Sequence, residues 1–454
     1  MKPAQLLVLP LVLQCSALAL DNIQFPITGS CMDLGAVVRK YCPELSPLEA
    51  LYKHVHQHPE LSGRELQTAS LISEHLRGLG LNVTKGVGGH GVVGVLRNGD
   101  GPVVLLRAEL DALPIQELTG LPFASTQFME DSWGRRQPVM HACGHDMHMA
   151  SLMGAAQLLL NARSEWTGTV VVLFQPNEEH TGGAQAMIDD GLYEKIGIAY
   201  PDAVFAQHLM QTPTGSVSIK PGPVLVSAET VRIRMFSSEG YIANPQRSVD
   251  VSVVVSKVIL ALQELVREVS KGGSYASIYT EEMHAGEPGA DWVSHADIVL
   301  DVKAYDPAIR SQLLNGIKLI VEREASISGA VRRPEITVSE RAPLTTNNPD
   351  LSKQLRGVFT KFFGHGNVLE GVPTHPCEDF SRLATPVGAP YVFWFLGRAD
   401  PRLLDRARKD GVRFADVIPI EHSPYNAPLI HPTLETGIYA LSLAALSVLT
   451  VPSS

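Results

Sequence analysis

The feature that most constrains this fold is an apolar run that ends in two adjacent carboxylates. The stretch Thr169 to Phe174 shows no alternation of polar and apolar residues, which is typical of a strand covered on both faces of an α/β sheet. A short link, 175–177, connects it to Glu178 and Glu179. Adjacent carboxylates at the edge of a buried element are unfavourable unless a cation or a reaction uses them. The pattern therefore predicts a central strand with a functional site at its carboxyl end.

Two further predicted strands carry polar groups at their ends. Val103 to Arg107 is followed by Asp111, and Ala203 to Ala206 runs into His208. A solvated strand end is the alternative interpretation of either pattern alone. Because ligands of open α/β sheets bind outside the carboxyl ends of the strands, we expect Asp111, His208 and the paired glutamates to meet at one edge.

The residues before these strands carry local signals of their own. Apolar spacing from Ser46 to Leu79 predicts two helices interrupted at 58–62. The turn-forming residues Asn98 to Gly101 separate Gly91 to Leu96 from Val103 to Arg107. This pattern predicts either a hairpin or another tight connection between two strands.

A dense cluster of candidate metal ligands lies between the predicted strands. Within six residues the chain places His141, Cys143, His145 and Asp146 ahead of a helical run of small residues. A thiolate and an imidazole suit a borderline metal such as zinc, and Asp146 could orient a histidine through a hydrogen bond. A buried cysteine beside surface histidines is the alternative. Near the end of the chain, His422 supplies another candidate imidazole.

The chain is long enough for two domains. Its 454 residues exceed what one ordinary core needs. Between residues 226 and 341 strands alternate with two amphipathic helices, as expected for a small inserted α+β domain. We therefore predict a catalytic domain in two parts, 21–225 and 342–454, around a satellite domain at 226–341.

The net charge and the N-terminal residues limit the partners and the cellular location that we expect for this protein. The net charge is −10, with acidic and basic residues interspersed, so we expect neither nucleic acid nor a membrane surface as a partner. Residues 1–20 have the pattern of a secretory signal peptide, with an uncleaved anchor as the alternative. This predicts a secreted protein, outside the cell or in the secretory lumen. Cys31 and Cys42 could then pair, and Asn82 begins a glycosylation sequon.

Several motifs, in order across nearly all of the mature chain, give it a family resemblance. The chain resembles the dinuclear-metal amidohydrolases and peptidases, the amidohydrolase subfamily of metallopeptidase family twenty. This group includes aminoacylases, hippurate hydrolase, bacterial N-acyl-amino-acid amidohydrolases and plant hydrolases of indole-acetyl-amino-acid conjugates. The matching segments are His56 to Ser62, Leu106 to Ile115, His141 to Asp146, Gln175 to Glu179, Gly182 to Ala184, Glu378 to Phe380 and His422 to Pro424.

The resemblance implies a fold and a site. The fold is α/β, a zinc-peptidase-like catalytic domain with an inserted α+β satellite domain that often dimerises. Two divalent metal ions, most often zinc but also manganese or cobalt, are implied, with Cys143 as the bridging ligand. The other implied ligands are His145, Glu179, His208 and His422, with His431 as the rival of His422. Glu178 becomes the general base and Asp111 a second catalytic carboxylate, with His141 and Asp146 outside the ligand set.

The chain departs from the family pattern at several positions. Glu109 replaces the usual aspartate, and the family's satellite-domain histidine, which reaches the substrate, corresponds to Tyr241. Asn244 follows in the same segment, and Asp291 falls where the family commonly has asparagine. A phenol donates a hydrogen bond but supplies no imidazolium charge. Asp291 would also repel a substrate carboxylate.

Three functions follow from these patterns. The first is a secreted metal-dependent amidohydrolase that cleaves an N-acyl amino acid or related small amide, with Glu178 as general base. The second is a binding module that holds metal and ligand with weak or no turnover, which the substitution at Tyr241 favours. The third is a dipeptidase or other exopeptidase with the same metal chemistry.

Overall fold

A mixed sheet of eight strands and a separate antiparallel sheet of four strands organise the chain. The structure, a computed structural model, describes residues 33–237, 249–286, 293–330 and 332–449. The strands are β1 Asn82–Val87, β2 Gly91–Asn98, β3 Val103–Glu109, β4 Phe128–Glu130, β5 Arg136–Pro138, β6 Gly168–Gln175, β7 Ala203–Pro213, β8 Val217–Ile219, β9 Gly222–Leu225, β10 Ser227–Phe236, β11 Ala276–Ala285, β12 His295–Ala304, β13 Glu335–Ala342, β14 Thr345–Asn347, β15 Val368–Glu370 and β16 Tyr391–Ala399.

Twelve α-helices accompany these strands in the described residues. They are α1 Leu34–Tyr41, α2 Leu45–Gln57, α3 Leu66–Gly78, α4 His145–Asn161, α5 Gly183–Asp189, α6 Leu192–Ile196, α7 Val251–Val269, α8 Pro307–Ile327, α9 Pro349–Phe363, α10 Pro401–Asp410, α11 Phe414–Val417 and α12 Ile430–Leu446. The two helices expected between Ser46 and Leu79 are α2 and α3. Of the described residues, no helix is both long and apolar enough to cross a membrane.

The large sheet has the strand order β1-β2-β6-β3-β7-β16-β8-β15. Its central strands β6, β3, β7 and β16 run parallel, and β6 and β3 are almost fully buried, as the apolar run predicted. The hairpin alternative for 98–101 is wrong, because β6 lies between β2 and β3. The segment is a tight connection between strands that do not pair.

Helix α4 is the main support beneath the site. Almost all of its side chains are buried, and it packs against α2 and α12. Small residues permit a close approach: a Cβ at Gly154 would lie 2.6 Å from Cδ1 of Ile438 on α12. On another face of the sheet, Ala184 and Met187 of α5 pack with Phe380 and Leu383. The N-terminus of α4 is thereby held firmly against the strand ends.

The small sheet has the order β11-β12-β10-β13 and is antiparallel throughout. Helices α7 and α8 cover it and share its apolar core. Strand β11 was missed from the sequence because its side chains are mostly polar and exposed. The α/β architecture with an inserted α+β part is confirmed, whereas the exact boundaries 226 and 341 stay a prediction. Residues 1–20, Cys31, Tyr241, Asn244 and Asp291 lie outside the described residues.

Candidate metal centre and active site

Strand ends and the start of α4 bring the predicted ligands together. Asp111 follows β3, and Glu178 and Glu179 follow β6. His208 lies inside β7 rather than after it, because β7 continues alongside β16. The pairing of β7 with β3 nevertheless stops at Ala206, so His208 lies past the last paired residue and reaches the same edge.

Cys143 occupies the centre of the cluster. Its Sγ atom lies 3.3 Å from Nε2 of His208. Two sets of ligand atoms, each within 4.8 Å of one another, share this thiol: one adds His145 and His208, and the other adds Glu179 and His422. Within the second set, Nε2 of His422 lies 3.3 Å from Oε2 of Glu179. One sulfur atom therefore links two adjacent groups of potential ligands.

Backbone carbonyls set the orientation of two imidazoles. Nδ1 of His145 lies 2.8 Å from the carbonyl oxygen of Asp111, and Nδ1 of His208 lies 2.8 Å from that of Leu209. A carbonyl only accepts, so each Nδ1–H must donate. When the ring carries no second proton, Nε2 presents its lone pair to the cluster, which is the arrangement of a metal-ligating histidine.

Buried polar atoms without partners test whether these residues fit a metal ion. Among the described residues, Nε2 of His145, Oε1 of Glu179 and Oδ1 of Asp111 have no hydrogen-bond partner although they are buried. Such orphaned atoms are rare in folded proteins and call for an explanation. Combined sulfur, nitrogen and carboxylate donors suit a borderline divalent cation. The residues therefore fit a metal ion.

The electrostatics of the cluster favour a cation. Burial raises the pKa of the Cys143 thiol, and the Glu179 and Glu178 carboxylates raise it further. Burial also raises the pKa of Glu179 to about 7. Although burial alone would lower the pKa of His145, the Asp111 carboxylate, 3.5 Å from Nδ1, and the charges of Glu109 and Glu179 raise it to about 10. The raised pKa values mean that each of these groups is stabilised by a bound proton. A metal ion would supply the positive charge in place of those protons.

Glu178 lies outside the two ligand sets that share Cys143, although its carboxylate forms a further set with His145 and Glu179. Its Oε2 lies 3.7 Å from Nε2 of His145, and the residue is 7% exposed. Burial raises its pKa well above the usual range, with Glu378 and Glu179 adding to the effect. A buried carboxylate with a raised pKa beside a ligand cluster is suited to accept and return a proton.

A buried arginine below the cluster was not assigned a role from the sequence. Arg107 donates to Gln175 across 3.0 Å and to Glu378 across 2.8 Å, and it also pairs with Glu109. Asp379 accepts the side-chain amide of Gln175 across 2.7 Å. An arginine inside an otherwise apolar strand was the available signal. Its charge offsets part of the negative charge that the carboxylates concentrate here.

The glutamate that departs from the family pattern has a buried histidine partner. Oε2 of Glu109 lies 2.7 Å from Nδ1 of His148, whose Nε2 accepts the backbone N–H of Leu209 across 3.0 Å. The sequence did not lead us to predict a role for His148. The available signal was its position three residues after His145, which places both side chains on the same face of α4. The longer side chain of Glu109 thus reaches a residue that also fixes the backbone beside His208.

Asp146 orients a histidine, although not one of the proposed ligands. Its Oδ2 lies 2.6 Å from Nδ1 of His56, and Glu117 binds the other ring nitrogen of His56 across 3.0 Å.

His141 is 2% exposed, and its ring nitrogens have no partner among the described residues. Burial lowers its pKa to about 4, so the ring is neutral.

The rival histidine lies apart from the cluster. His431 is hydrogen-bonded to Glu435 across 2.8 Å and to Glu49 across 3.1 Å, and among the described residues it belongs to none of the candidate ligand sets, whereas His422 shares one with Cys143 and Glu179. His422 instead adopts a left-handed backbone conformation with φ 62°, and its N–H donates to the carbonyl of Ala142 across 3.0 Å. The geometry therefore favours His422 over His431 as a ligand.

Residues 105–409 match the protein family described as Peptidase family M20/M25/M40. The chain is 33% identical over 365 residues to hippurate hydrolase of Campylobacter jejuni, covering 77% of this chain and 89% of that protein. It is 30% identical over 359 residues to IAA-amino acid hydrolase ILR1-like 2 of Arabidopsis thaliana, covering 77% and 76%. Its fold is similar to that of the Bacillus subtilis YXEP protein, a dinuclear metal binding peptidase, with a TM-score of 0.68, 24% identity and coverage of 90% and 98%.

Proposed function

We propose that this chain, which belongs to peptidase family M20/M25/M40 and is a metal-dependent hydrolase of amide bonds, cleaves an N-acyl amino acid or a related small amide. The observation that carries the proposal is the position of Glu178 beside two ligand sets that share Cys143. The relatives support the substrate class, because one is named for hippurate and another for conjugates of IAA with amino acids.

Two divalent metal ions are proposed as cofactors, with zinc first and manganese or cobalt as alternatives. Cys143 would be shared, His145 and His208 would complete one set, and Glu179 and His422 the other. Bound metal ions would lower the pKa of water and polarise the amide carbonyl. The mixture of sulfur, nitrogen and oxygen donors supports zinc in particular.

Glu178 would act first as the general base and then as the general acid of the reaction. Its buried carboxylate has a raised pKa, and the positive charge of bound metal would lower that pKa. It would take a proton from the attacking water and deliver it to the departing amine. Asp111 would act beside it by fixing His145 and the backbone of Glu179.

Weak or absent turnover is the second candidate. Tyr241 stands where the family has a substrate-binding histidine, and loss of one such donor reduces transition-state stabilisation by roughly 2.7–4 kcal/mol. A protein of this kind would still bind metal and a small amide ligand. A dipeptidase is a third candidate, since it uses the same chemistry with a different pocket.

One experiment separates these candidates. The purified mature chain is stripped of metal, reloaded with zinc, manganese or cobalt, and assayed against N-acyl amino acids and dipeptides beside a Tyr241→His variant. Hydrolysis of N-acyl amino acids that requires metal supports the proposal, and preference for dipeptides supports the third candidate. If two metal ions bind but the wild type cleaves nothing while Tyr241→His does, the weak-turnover candidate is correct.

Secretion, glycosylation and dimerisation are further proposals. Asn82 is exposed at the start of β1, so a secretory host should attach a glycan there. Loss of a mass shift on glycosidase treatment in Asn82→Gln tests this directly. A homodimer through the four-stranded sheet predicts twice the monomer mass in sedimentation, whereas a monomer at all concentrations would reject it.

A further inference from the structure

The segment Glu60 to Glu65, which has no role in the proposed mechanism, contacts both loops that carry the site carboxylates. Ser62 Oγ donates to Oδ2 of Asp111 across 2.7 Å, and the carbonyl of Glu60 accepts the N–H of Ala112 across 2.9 Å. These contacts hold the loop after β3. At the other end of the segment, Glu65 contacts the loop after β6.

Glu65 is a fully buried carboxyl group held mainly by backbone amides. It is 0% exposed, and its Oε1 accepts the N–H of Gly63 across 2.7 Å and that of Asn177 across 2.8 Å. Its Oε2 is buried without a hydrogen-bond partner among the described residues. Burying a carboxyl group in this way is unfavourable. Helix α3 does not need Glu65 as a cap, because the Glu60 carboxylate already accepts the N–H groups of Gln67 and Thr68 in its first turn.

The amide that Glu65 holds belongs to a tight turn immediately before the proposed base. Asn177 has φ 52°, a left-handed conformation that asparagine adopts more readily than most residues other than glycine. Its carbonyl accepts the N–H of Gly183 across 3.1 Å, which closes the turn that contains Glu178 and Glu179. The backbone conformation at Asn177 therefore determines the directions in which the side chains of Glu178 and Glu179 point.

We propose that Glu65 is a positioning residue, which holds the Asn177 amide so that Glu178 faces the reaction and Glu179 faces the ligand sets. The role of Glu178 as base rests on the proposed function, whereas the orientation of the loop does not. Displacement of a catalytic group by about 1 Å can reduce the rate about 10²-fold. Loss of the Glu65 hydrogen bond should therefore act on turnover more than on substrate binding.

Two substitutions at Glu65 separate the hydrogen bond from other effects. Glu65→Gln keeps an acceptor oxygen where Oε1 lies and replaces only the unpartnered Oε2. Glu65→Met keeps the size of the side chain and removes both acceptors. Glu74→Met on the exposed side of α3 is the matched control for a glutamate-to-methionine change in the same helix.

Two readouts are measured on these variants and the wild type. The first is hydrogen exchange of the Asn177 amide in the metal-free protein, followed by mass spectrometry of peptides spanning 174–182. The second is kcat and KM with an N-acyl amino acid in the metal-loaded protein. We expect Glu65→Met to exchange at least 10-fold faster at Asn177 and to lose about 10²-fold in kcat with KM within a few fold. Glu65→Gln and Glu74→Met should resemble the wild type in both.

The outcomes of the exchange measurement decide the inference even without turnover. If the wild type cleaves no substrate, the proposed function fails, and slow exchange in Glu65→Gln with fast exchange in Glu65→Met still supports the positioning role. Unchanged exchange and kcat in a folded Glu65→Met protein would overturn it. Equal losses in Glu65→Gln and Glu65→Met would also overturn it, because the acceptor at Oε1 would then not be what matters. If Glu65→Met does not fold, Glu65→Asp, which shortens the side chain and keeps its charge, must show the same faster exchange.

Discussion

Oδ2 of Asp111 accepts the backbone N–H of Glu179 across 2.9 Å. The same residue accepts Nδ1–H of His145 through its carbonyl oxygen. One residue at the end of β3 therefore fixes one proposed ligand through its side chain and another through its backbone. Partners of this kind, which bind the ligands rather than the metal, strengthen metal binding by orienting the donor atoms.

Removal of the Asp111 carboxylate should weaken metal binding. In Asp111→Ala the Glu179 amide loses its acceptor, and we expect metal affinity to fall about 10–100-fold. Titration of the metal-free protein with zinc against a competing chelator measures this change. Ser62→Ala, which removes only the hydroxyl that donates to the same carboxylate, should have a smaller effect. Equal affinity in the wild type and Asp111→Ala would contradict the role given to Asp111.

A buried arginine supports the loop that carries His422. Arg398 is 2% exposed and donates to the carbonyl of Pro419 across 2.6 Å and to Glu421 across 3.3 Å. In Arg398→Met the loop loses both contacts, so the affinity for the metal that His422 binds should fall about 10-fold. Arg402→Met is the control, because the Arg402 side chain is 87% exposed. Similar metal affinities in the two variants would argue against a supporting role for Arg398.

The His56 ion pairs should give the fold a distinctive pH dependence. Burial alone would lower the pKa of His56, but the hydrogen bonds to Asp146 and Glu117 raise it to about 10. The folded state thus binds one more proton than the unfolded state between pH 6.5 and about 10. The resulting stability is fully present below pH 6.5 and is lost as pH rises toward 10, at about 1.4 kcal/mol per pH unit.

Urea unfolding at pH 7, 8 and 9 tests this effect in wild type and His56→Gln with equal metal content. The free energy of unfolding should fall more steeply with pH in the wild type, since the variant lacks the titrating group. The difference in slope should approach 1.4 kcal/mol per pH unit. Parallel slopes would mean that His56 is not protonated in the folded protein.

Much of the fold, and the meeting of Asp111, His208 and the paired glutamates at one sheet edge, could be predicted from local signals, whereas the complete proposed ligand set follows from the family resemblance. The apolar run of β6 and the ligands beside it lie within a few residues of one another, and strand ends of one sheet necessarily share an edge. By contrast, the sequence around 98–101 could not distinguish a hairpin from a tight connection. That distinction depends on β6, which enters the sheet about seventy residues later and separates β2 from β3.

The network beneath the site could not be predicted, because its partners are distant in sequence. Arg107 meets Glu378 across 271 positions and His56 meets Asp146 across 90. No local period links such residues, and each carries only the weak signal of a polar group within apolar surroundings. The same is true of Glu65 and Asn177, which are 112 positions apart.

The separate roles of Glu178 and Glu179 are tested most directly by comparing Glu178→Gln with Glu179→Gln. Both variants and the wild type are assayed for bound metal and for kcat with an N-acyl amino acid. Glu178→Gln should keep the wild-type metal content and lose about 10²–10⁴-fold in kcat, because only the proton acceptor is removed. Glu179→Gln should lose metal as well as activity. Wild-type turnover in Glu178→Gln, or loss of metal from that variant alone, would contradict the division of roles between the two glutamates.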